Sequence, residues 1–205
     1  MARPRTHDET VRRRLLEHAS EAIAAGGPDS LSVRAVAAAA GTTTAAVYSL
    51  FGSREALVQE VVAEGFRRFA GHLAAVPRSD DALADLLALG VAYRTSALAN
   101  PHFYRVMFAP PSAAGRNEST TDRARRADVD DGGARPAVAR PTFLVLRDAV
   151  ARVRPGAGPA AAEEVALRLW SHAHGLVSLE LAGLLPGTPG ELETRYVQAL
   201  RAVRL

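Results

Sequence analysis

Residues 31–57 constrain the fold of this chain more than any other stretch, and they read LSVRAVAAAAGTTTAAVYSLFGSREAL. Ser32 can cap a helix over residues 33–40, because its hydroxyl can accept a free backbone N–H of the first turn. Gly41 can end this helix, because glycine readily adopts the left-handed conformation that a tight helix stop requires. The first half of the stretch therefore predicts one short helix with a defined beginning and end.

The second half of the stretch predicts another short helix directly after this stop. Thr42 or Thr43 can cap a helix from residue 44 to about residue 50, and Ser53 can cap a third helix. Two short helices joined by a glycine-containing turn of three or four residues form a helix-turn-helix, whose second helix is of a size to enter the major groove of DNA. An ordinary helical hairpin has the same spacing, so the spacing alone leaves a DNA role open.

The composition favours helices along the whole chain. The 205 residues are 48% hydrophobic but only 5% aromatic, and the apolar side chains are mostly those of Ala, Leu and Val. Ala and Leu favour helices, and no long alternating run of Val, Ile and Thr indicates a sheet. We therefore predict an all-α fold of about nine helices.

Positive charge is concentrated at one end of the chain. The net charge is only +3, and all 25 basic residues are Arg, since Lys is absent. Five of these arginines and only two acidic residues lie within the first 14 positions. We predict a disordered arm over residues 1–7, which carries Arg3 and Arg5. Such an arm is either a solvated tail or a segment that lies along phosphates or enters a minor groove.

The residues that the sequence lacks exclude several kinds of site. Without Cys, the chain can form neither disulfides nor thiolate metal sites. His172 and His174 point about 200° apart on a helix, which argues against a shared metal ion. No GxSxG, P-loop or dinucleotide fingerprint indicates an enzyme. We predict no catalytic residue, no metal ion and no cofactor.

Nothing in the sequence indicates a membrane span or an export signal. No apolar run reaches the roughly 18 residues of a membrane span. The N-terminus is polar and rich in Arg, and it lacks the apolar core of a secretory signal. We therefore expect a soluble cytoplasmic protein that does not bind a membrane.

The helix-turn-helix stretch resembles the N-terminal domain of TetR/AcrR-family transcriptional regulators. Leu50 departs from the pattern, because the family usually carries His or Tyr at this position. The match covers roughly residues 8–62. The residues that carry the resemblance are Val33-Arg34-Ala35-Val36-Ala37, Ala40-Gly41, Val47-Tyr48 and Phe51-Gly52-Ser53-Arg54-Glu55-Ala56-Leu57.

This resemblance implies two domains. An N-terminal helix-turn-helix domain over residues 1–55 binds DNA, and a helical domain over residues 56–205 binds a ligand and dimerises. Within the second domain we predict a mobile loop over residues 109–140. The Trp-x-x-x-His-Gly spacing of residues 170–175 also resembles the WHG-type C-terminal ligand domain of some family members.

The resemblance places the DNA contacts in and around the second helix of the motif. Val47 is expected in the core, and Tyr48 is expected to reach a phosphate through its hydroxyl, with simple packing as the alternative. The outward face of this helix lacks Arg, Asn and Gln, so we expect modest direct readout and more weight on DNA shape. The predicted DNA contacts are Arg3, Arg5, Ser32, Arg34, Thr42, Thr43, Thr44, Ala45, Ala46, Tyr48, Ser49, Ser53 and Arg54.

An aromatic cluster and a later apolar helix are the candidates for a ligand site. Core packing is the favoured explanation for any one aromatic side chain of the segment HFYRVMF after Pro101, but as a cluster with a Met they also suit a small apolar ligand. A helix over residues 159–185 is apolar nearly all round in its middle, so we expect it to be buried. Glu180 in this helix is expected to pair with an Arg or to lie at a subunit contact. The predicted ligand-binding residues are Phe103, Tyr104, Met107, Phe143, Trp170 and His174.

The function that the resemblance implies is that of a homodimeric transcriptional repressor. It would bind a near-palindromic operator in double-stranded DNA and be released by a small, mainly apolar effector. Two alternatives remain at this point. The C-terminal domain could serve only for dimerisation or for binding protein partners, or the protein could activate transcription.

Overall fold

A computed structural model describes the backbone of residues 5–109 and 139–205, and the side chains of residues 8–109 and 141–205. Within these ranges the chain forms α-helices, one 3₁₀ turn at Pro28–Ser30 and no strand, so the prediction of an all-α fold is confirmed. The nine described α-helices are α1 (Arg5–Gly26), α2 (Val33–Ala39), α3 (Thr44–Phe51), α4 (Arg54–Ala74), α5 (Ala82–Ala99), α6 (Pro101–Met107), α7 (Ala139–Val153), α8 (Pro159–Leu181) and α9 (Pro189–Ala202).

The chain divides into two compact units. Unit 1 comprises Met1–Gly65 and His102–Arg135, and unit 2 comprises Phe66–Pro101 and Pro136–Leu205. Helix α4 begins in unit 1 and ends in unit 2 without a break. The domain boundary that the sequence predicts after residue 55 falls in the first turn of this helix and stays a prediction.

Two helices begin inside segments for which the sequence predicts no helix. Helix α1 already begins at Arg5, within the predicted arm, and Asp8 in its first turn complements the helix dipole. The cap of α5 is Asp81, because its carboxylate accepts the N–H groups of Leu83 and Ala84 in the first turn. Helix α7 begins at residue 139, inside the predicted loop, and the rest of that loop beyond residue 109 lies outside the described residues.

Unit 1 is built on the packing of α1 against the 3₁₀ turn and α2, and of α2 against α3. Apolar residues at helical spacing supply its core, which includes one face of α1 and the inward side of the helix-turn-helix. The core cluster consists of Val11, Leu15, Leu16, Ala19, Ile23, Leu31, Val33, Val36, Ala37, Ala40, Val47, Phe51, Leu57, Val61, Phe103 and Val106.

Unit 2 is a helical bundle in which α5 packs against α7, α8 and α9, and α8 packs against α7 and α9. Helices α5 and α9 approach closely at Gly90, where an added Cβ would lie 2.4 Å from a methyl group of Leu200. At the same place the Tyr196 hydroxyl donates a hydrogen bond to the Gly90 carbonyl at 2.8 Å. A larger residue at position 90 would therefore require the Leu200 side chain to move.

Asp85 fastens the segment before α5 to α7. Its carboxylate accepts hydrogen bonds from the Ser79 N–H (2.9 Å), from the Ser79 hydroxyl (2.7 Å) and from the Arg152 guanidinium (2.7 Å). These bonds, that of Arg152 foremost, lower the pKa of Asp85 to about 2. The carboxylate therefore stays ionised throughout the neutral and mildly acidic range.

By length and composition alone, helix α5 could cross a membrane. It is the one helix with this property in the part of the chain that the structure describes. The same helix carries Asp85, which pairs with α7, and Arg94, which pairs with α8. Helix α5 packs against three neighbouring helices, and this packing explains why it is apolar.

Helix α8 is less buried than its sequence predicts. Leu167 and Leu179 are 50% and 42% exposed, and a Cβ added at Gly175 would meet nothing within 4 Å. The expectation that this helix is buried all round is therefore wrong for the single chain. The helix also ends at Leu181, four residues earlier than predicted, because Gly183 adopts a φ of +68° and stops it.

Candidate nucleic-acid interface and ligand site

The turn between α2 and α3 has the geometry of a helix-turn-helix. Gly41 has a φ of +66°, and the Thr42 N–H donates to the Ala37 carbonyl at 2.9 Å, as in a Schellman stop. Thr43, and not Thr42, caps α3, because its hydroxyl oxygen accepts the Ala46 N–H at 3.2 Å. The predicted motif is confirmed.

The two neighbouring helices of the motif also begin at hydroxyl caps. The Ser32 hydroxyl accepts the Ala35 N–H at 3.3 Å, and the Ser53 hydroxyl accepts the Ala56 N–H at 3.0 Å. A hydroxyl that accepts such a bond keeps its own proton for donation. The Ser32 cap can therefore order its helix and donate to a phosphate at the same time, whereas the Ser53 hydroxyl also hydrogen-bonds to the Glu55 carboxylate.

Helix α3 has one buried and one exposed side. Val47 and Phe51 are buried in the core of unit 1. Tyr48 is 51% exposed, so its hydroxyl extends from the surface. The structure brings several of the predicted DNA contacts together in or directly before this helix. The exposed ones are Thr43, Thr44, Ala45, Tyr48 and Ser49, and Thr42 and Ala46 are partly exposed beside them.

The predicted arginine contacts are placed in different surroundings. Arg34 is exposed in the first turn of α2. Arg54 is half-buried, and its guanidinium donates to the backbone carbonyls of Pro28 and Leu31, the latter at 3.0 Å. This arginine ties the start of α4 to the segment before α2, and its contact with a phosphate stays a prediction. Arg3 lies outside the described residues, and Arg5 is described only as backbone, within α1.

One arginine that the sequence analysis did not select as a site residue packs against the helix-turn-helix from α1. Arg12 of α1 forms an ion pair with Glu60 of α4, and its guanidinium lies over the Phe51 ring, 5.3 Å from the ring centroid. Its neighbour Arg13 is exposed. Helical spacing could have indicated that Arg12 faces inward. Positions 12, 16, 19 and 23 lie along one side of α1, and the last three are buried.

The six predicted ligand residues divide equally between the two units. Phe103, Tyr104 and Met107 belong to unit 1, where Phe103 is 2% exposed and part of the hydrophobic core. The Tyr104 ring packs edge-on against Phe108 at 5.0 Å, and the Met107 side chain fills the space beside Gly65. Packing within unit 1 accounts for these three side chains, and their contact with a ligand stays a prediction.

The other three ligand candidates, Phe143, Trp170 and His174, belong to a row of five rings within unit 2, which we name the aromatic chain. Its remaining members, Phe69 and Tyr93, pack edge-on with ring centroids 5.2 Å apart. The Tyr93 hydroxyl and His174 Nδ1 are hydrogen-bonded at 2.9 Å, Trp170 lies 6.4 Å from His174, and Phe143 lies 5.9 Å from Trp170. Burial lowers the pKa of His174, so its ring is neutral at pH 7.

A buried ion pair crosses unit 2. Arg94 of α5 donates two hydrogen bonds to the Glu180 carboxylate of α8, at 2.8 and 2.7 Å. The two side chains are only 8% and 9% exposed, and the Glu193 carboxylate of α9 lies 3.4 Å from the same guanidinium. The bonds to Glu180 raise the pKa of Arg94. The expectation that Glu180 pairs with an arginine is confirmed, although the sequence did not identify Arg94.

In the described part of the chain, no group of three or more His, Asp or Glu side chains could hold a metal ion. In unit 2 the feature that suits a ligand is the aromatic chain, with the hydrogen-bonded Tyr93 and His174 as its polar part. In unit 1 the feature that suits a binding partner is the exposed side of α3.

Two family models match the sequence. One, described as bacterial regulatory proteins of the tetR family, matches residues 15–61. The other, described as the tetracyclin repressor-like C-terminal domain, matches residues 86–203, which is more than half of the chain. No curated protein matches the chain.

Solved structures share the fold over nearly the whole chain. SCO4313, a candidate regulatory protein, is 26% identical, and the match covers 97% of this chain and 98% of that chain with a TM-score of 0.66. A bacterial regulatory protein in the tetR family from Rhodococcus RHA1 is 24% identical, with 94% and 96% covered and a TM-score of 0.65. The TetR family transcriptional regulator PfmR from Thermus thermophilus is 18% identical, with 94% and 100% covered and a TM-score of 0.64.

Proposed function

Because the chain belongs to the TetR family of bacterial regulatory proteins, we propose that it is a homodimeric repressor that a small, mainly apolar ligand releases from a near-palindromic operator. Members of this family are DNA-binding regulators and not enzymes. The observation that carries the proposal is the exposed side of α3, an eight-residue helix with a side-chain cap at its start and a glycine stop at its end.

The side chains on α3 determine how DNA is read in this proposal. Thr44 and Ala45 offer methyl groups that suit thymine methyls, and hydroxyls there can bond bases or phosphates. Tyr48 and Ser32 supply hydroxyl protons for phosphates, and Ser53 does so by exchanging its bond to the Glu55 carboxylate for one to a phosphate. Since this surface carries no amide or guanidinium group within α3, DNA shape contributes much of the sequence preference.

The exposed side of α8 supports the dimer. Leu167, Ser171, Gly175 and Leu179 follow one another at intervals of four residues, so they lie along one side of the helix. All but Gly175 are exposed, and the two small central residues allow another helix to approach closely. A two-fold contact between identical surfaces brings two α3 helices to one duplex and requires a near-palindromic operator.

The aromatic chain supports an apolar ligand within unit 2. Its ring faces provide dispersion contacts, and the hydrogen-bonded Tyr93 and His174 provide a polar group for orientation. To release DNA, the ligand must bind the conformation with low DNA affinity more tightly than the other, because equal affinity shifts nothing. A C-terminal domain that only dimerises, or that binds protein partners, would bind no apolar compound.

Selection of random duplexes on the purified protein, repeated at two salt concentrations, tests the proposed function. We expect enrichment of a palindrome that persists at the higher salt. Binding without enrichment that disappears as salt rises would mean that only phosphate contacts are made, and it would contradict the proposal. A reporter gene placed downstream of the enriched site then distinguishes repression from activation.

Replacing Tyr48 by Phe is expected to weaken binding to operator and to unrelated DNA alike, by about tenfold, because it removes one hydrogen bond to a charged phosphate. Fluorescence anisotropy with both duplexes measures the change. The matched control is Tyr196→Phe, which removes the same hydroxyl from a buried bond to the Gly90 carbonyl. Unchanged affinity in Tyr48→Phe would assign that ring to packing alone.

Replacing Trp170 by Ala is expected to raise the concentration of an apolar compound that half-releases the operator by at least roughly tenfold, because a large apolar contact is lost. Operator affinity without the compound should stay within about twofold of wild type. Trp170 is the single tryptophan of the chain, so its emission reports compound binding directly in the wild-type protein.

The conservative variant Trp170→Phe keeps a ring beside Phe143 and should retain part of the response. A response that is the same in wild type and Trp170→Ala would place the ligand away from the aromatic chain. The compound used is the one from an apolar panel that displaces the selected operator most strongly.

A further inference from the structure

We infer that Arg12 is a positioning residue for DNA binding, which fixes the end of α3 against α1 and α4 without touching DNA. The inference rests on the proposed function, because it concerns how α3 is presented to an operator. The surrounding basic residues of α1 suggest a simpler role in phosphate binding, and the contacts of the Arg12 side chain argue against it.

The contacts of Arg12 reach two different helices. Phe51 is the last residue of α3, and its ring is buried beneath the Arg12 guanidinium at 5.3 Å. Glu60 lies in the second turn of α4 and forms the ion pair with the same guanidinium. A cation over a ring face and a carboxylate beside the cation hold each other in place, since moving the ring breaks one contact and moving the carboxylate breaks the other.

The direction of the side chain also differs from that of its neighbours. Arg12 is half-buried, and its Nη1 atom is buried with no hydrogen-bond partner among the described residues. A guanidinium nitrogen normally keeps such partners, and the electron-rich face of an aromatic ring compensates partly for their loss. Arg13 and Arg14 are exposed, so they are the residues of this basic run that solvent or phosphates can reach.

A short helix depends on contacts of this kind for its orientation. Helix α3 has eight residues and a length of about 12 Å; it buries Val47 and Phe51 fully, and Leu50 packs against the core in part. Of the two buried side chains, Phe51 at the end of the helix is held by a charged group over its ring. Loss of Arg12 therefore allows α3 to tilt about Val47, which shifts Thr44 and Ala45 relative to base edges while the number of phosphate contacts stays the same.

The test compares Arg12→Gln with Arg13→Gln in the full chain, on the selected operator and on a random duplex, over several salt concentrations. Both variants lose one positive charge. We expect Arg12→Gln to lower operator affinity roughly tenfold and random-duplex affinity much less, with an unchanged salt slope. Arg13→Gln should leave the ratio of the two affinities unchanged.

A third variant separates positioning from electrostatics. Glu60→Gln makes the protein more positive, so a purely electrostatic effect would tighten DNA binding. Positioning predicts a lower ratio of operator to random-duplex affinity, and the double variant Arg12→Gln/Glu60→Gln should lose no more than Arg12→Gln alone. Circular dichroism at the assay temperature confirms that each variant compared is folded.

Two outcomes would overturn the inference. A salt slope reduced by about one in Arg12→Gln, with equal loss on both duplexes, would make Arg12 a phosphate contact. An unchanged affinity ratio in both Arg12→Gln and Glu60→Gln would remove any role in presenting α3. If the wild-type protein itself selects no operator, the proposed function fails and the inference falls with it, whereas failure of the variants alone leaves the proposed function intact.

Discussion

Replacing Arg94 by Met is expected to lower the free energy of unfolding by about 3–5 kcal/mol, because it leaves the buried Glu180 carboxylate without its counter-ion. The two side chains are each less than one-tenth exposed, and two short hydrogen bonds join them. Urea unfolding followed by circular dichroism measures the change, provided that the slope with urea concentration is preserved.

The double variant Arg94→Met/Glu180→Leu provides the control for this prediction. Replacing a buried ion pair by apolar residues of similar volume is often neutral or stabilising, so most of the lost stability should return. A single variant as stable as wild type would mean that Glu180 reaches water or another cation. A double variant no better than the single one would place the loss in packing, and not in the unpaired charge.

Replacing Phe103 by Ala is expected to lower the free energy of unfolding by about 3–5 kcal/mol, the cost of a large cavity in a well-packed core. Phe103 is the largest of the fully buried side chains and joins α6 to the core of unit 1. Phe143→Ala is the matched control, because that ring is only half-buried, and it should cost less.

The same pair of variants distinguishes core packing from ligand binding. If Phe103 lined a ligand site, Phe103→Ala would leave the free energy of unfolding nearly unchanged and would weaken the response to an apolar compound. Such a result would contradict the assignment of Phe103 to the core. Thermal unfolding and operator release on the same two variants give both readouts.

Local signals in the sequence predicted the helix-turn-helix almost residue by residue. Ser32, Gly41, Thr43 and Ser53 act on backbone groups within a few residues of themselves, so their spacing predicts the bounds of α2 and the starts of α3 and α4 to within about one residue. The choice between Thr42 and Thr43 as the cap of α3 depended on the path of the backbone, which spacing does not specify.

The interactions that escaped prediction join residues far apart in the chain. Arg94 and Glu180 are separated by 86 positions, and Arg12 and Glu60 by 48. Many arginines could pair with each carboxylate, and only the packing of the helices selects one. Hydrophobic pattern likewise showed that α8 is apolar, but it did not show that Leu167 and Leu179 are exposed on the single chain.

The continuity of α4 has a consequence for how the protein denatures. The unit boundary after Gly65 divides its 21 residues into segments of twelve and nine, and isolated helices shorter than about 12–15 residues are marginal in water. Each segment therefore depends on packing within its own unit to stay helical. Amide hydrogen exchange along α4 should then show two levels of protection, one for residues 54–65 and one for residues 66–74.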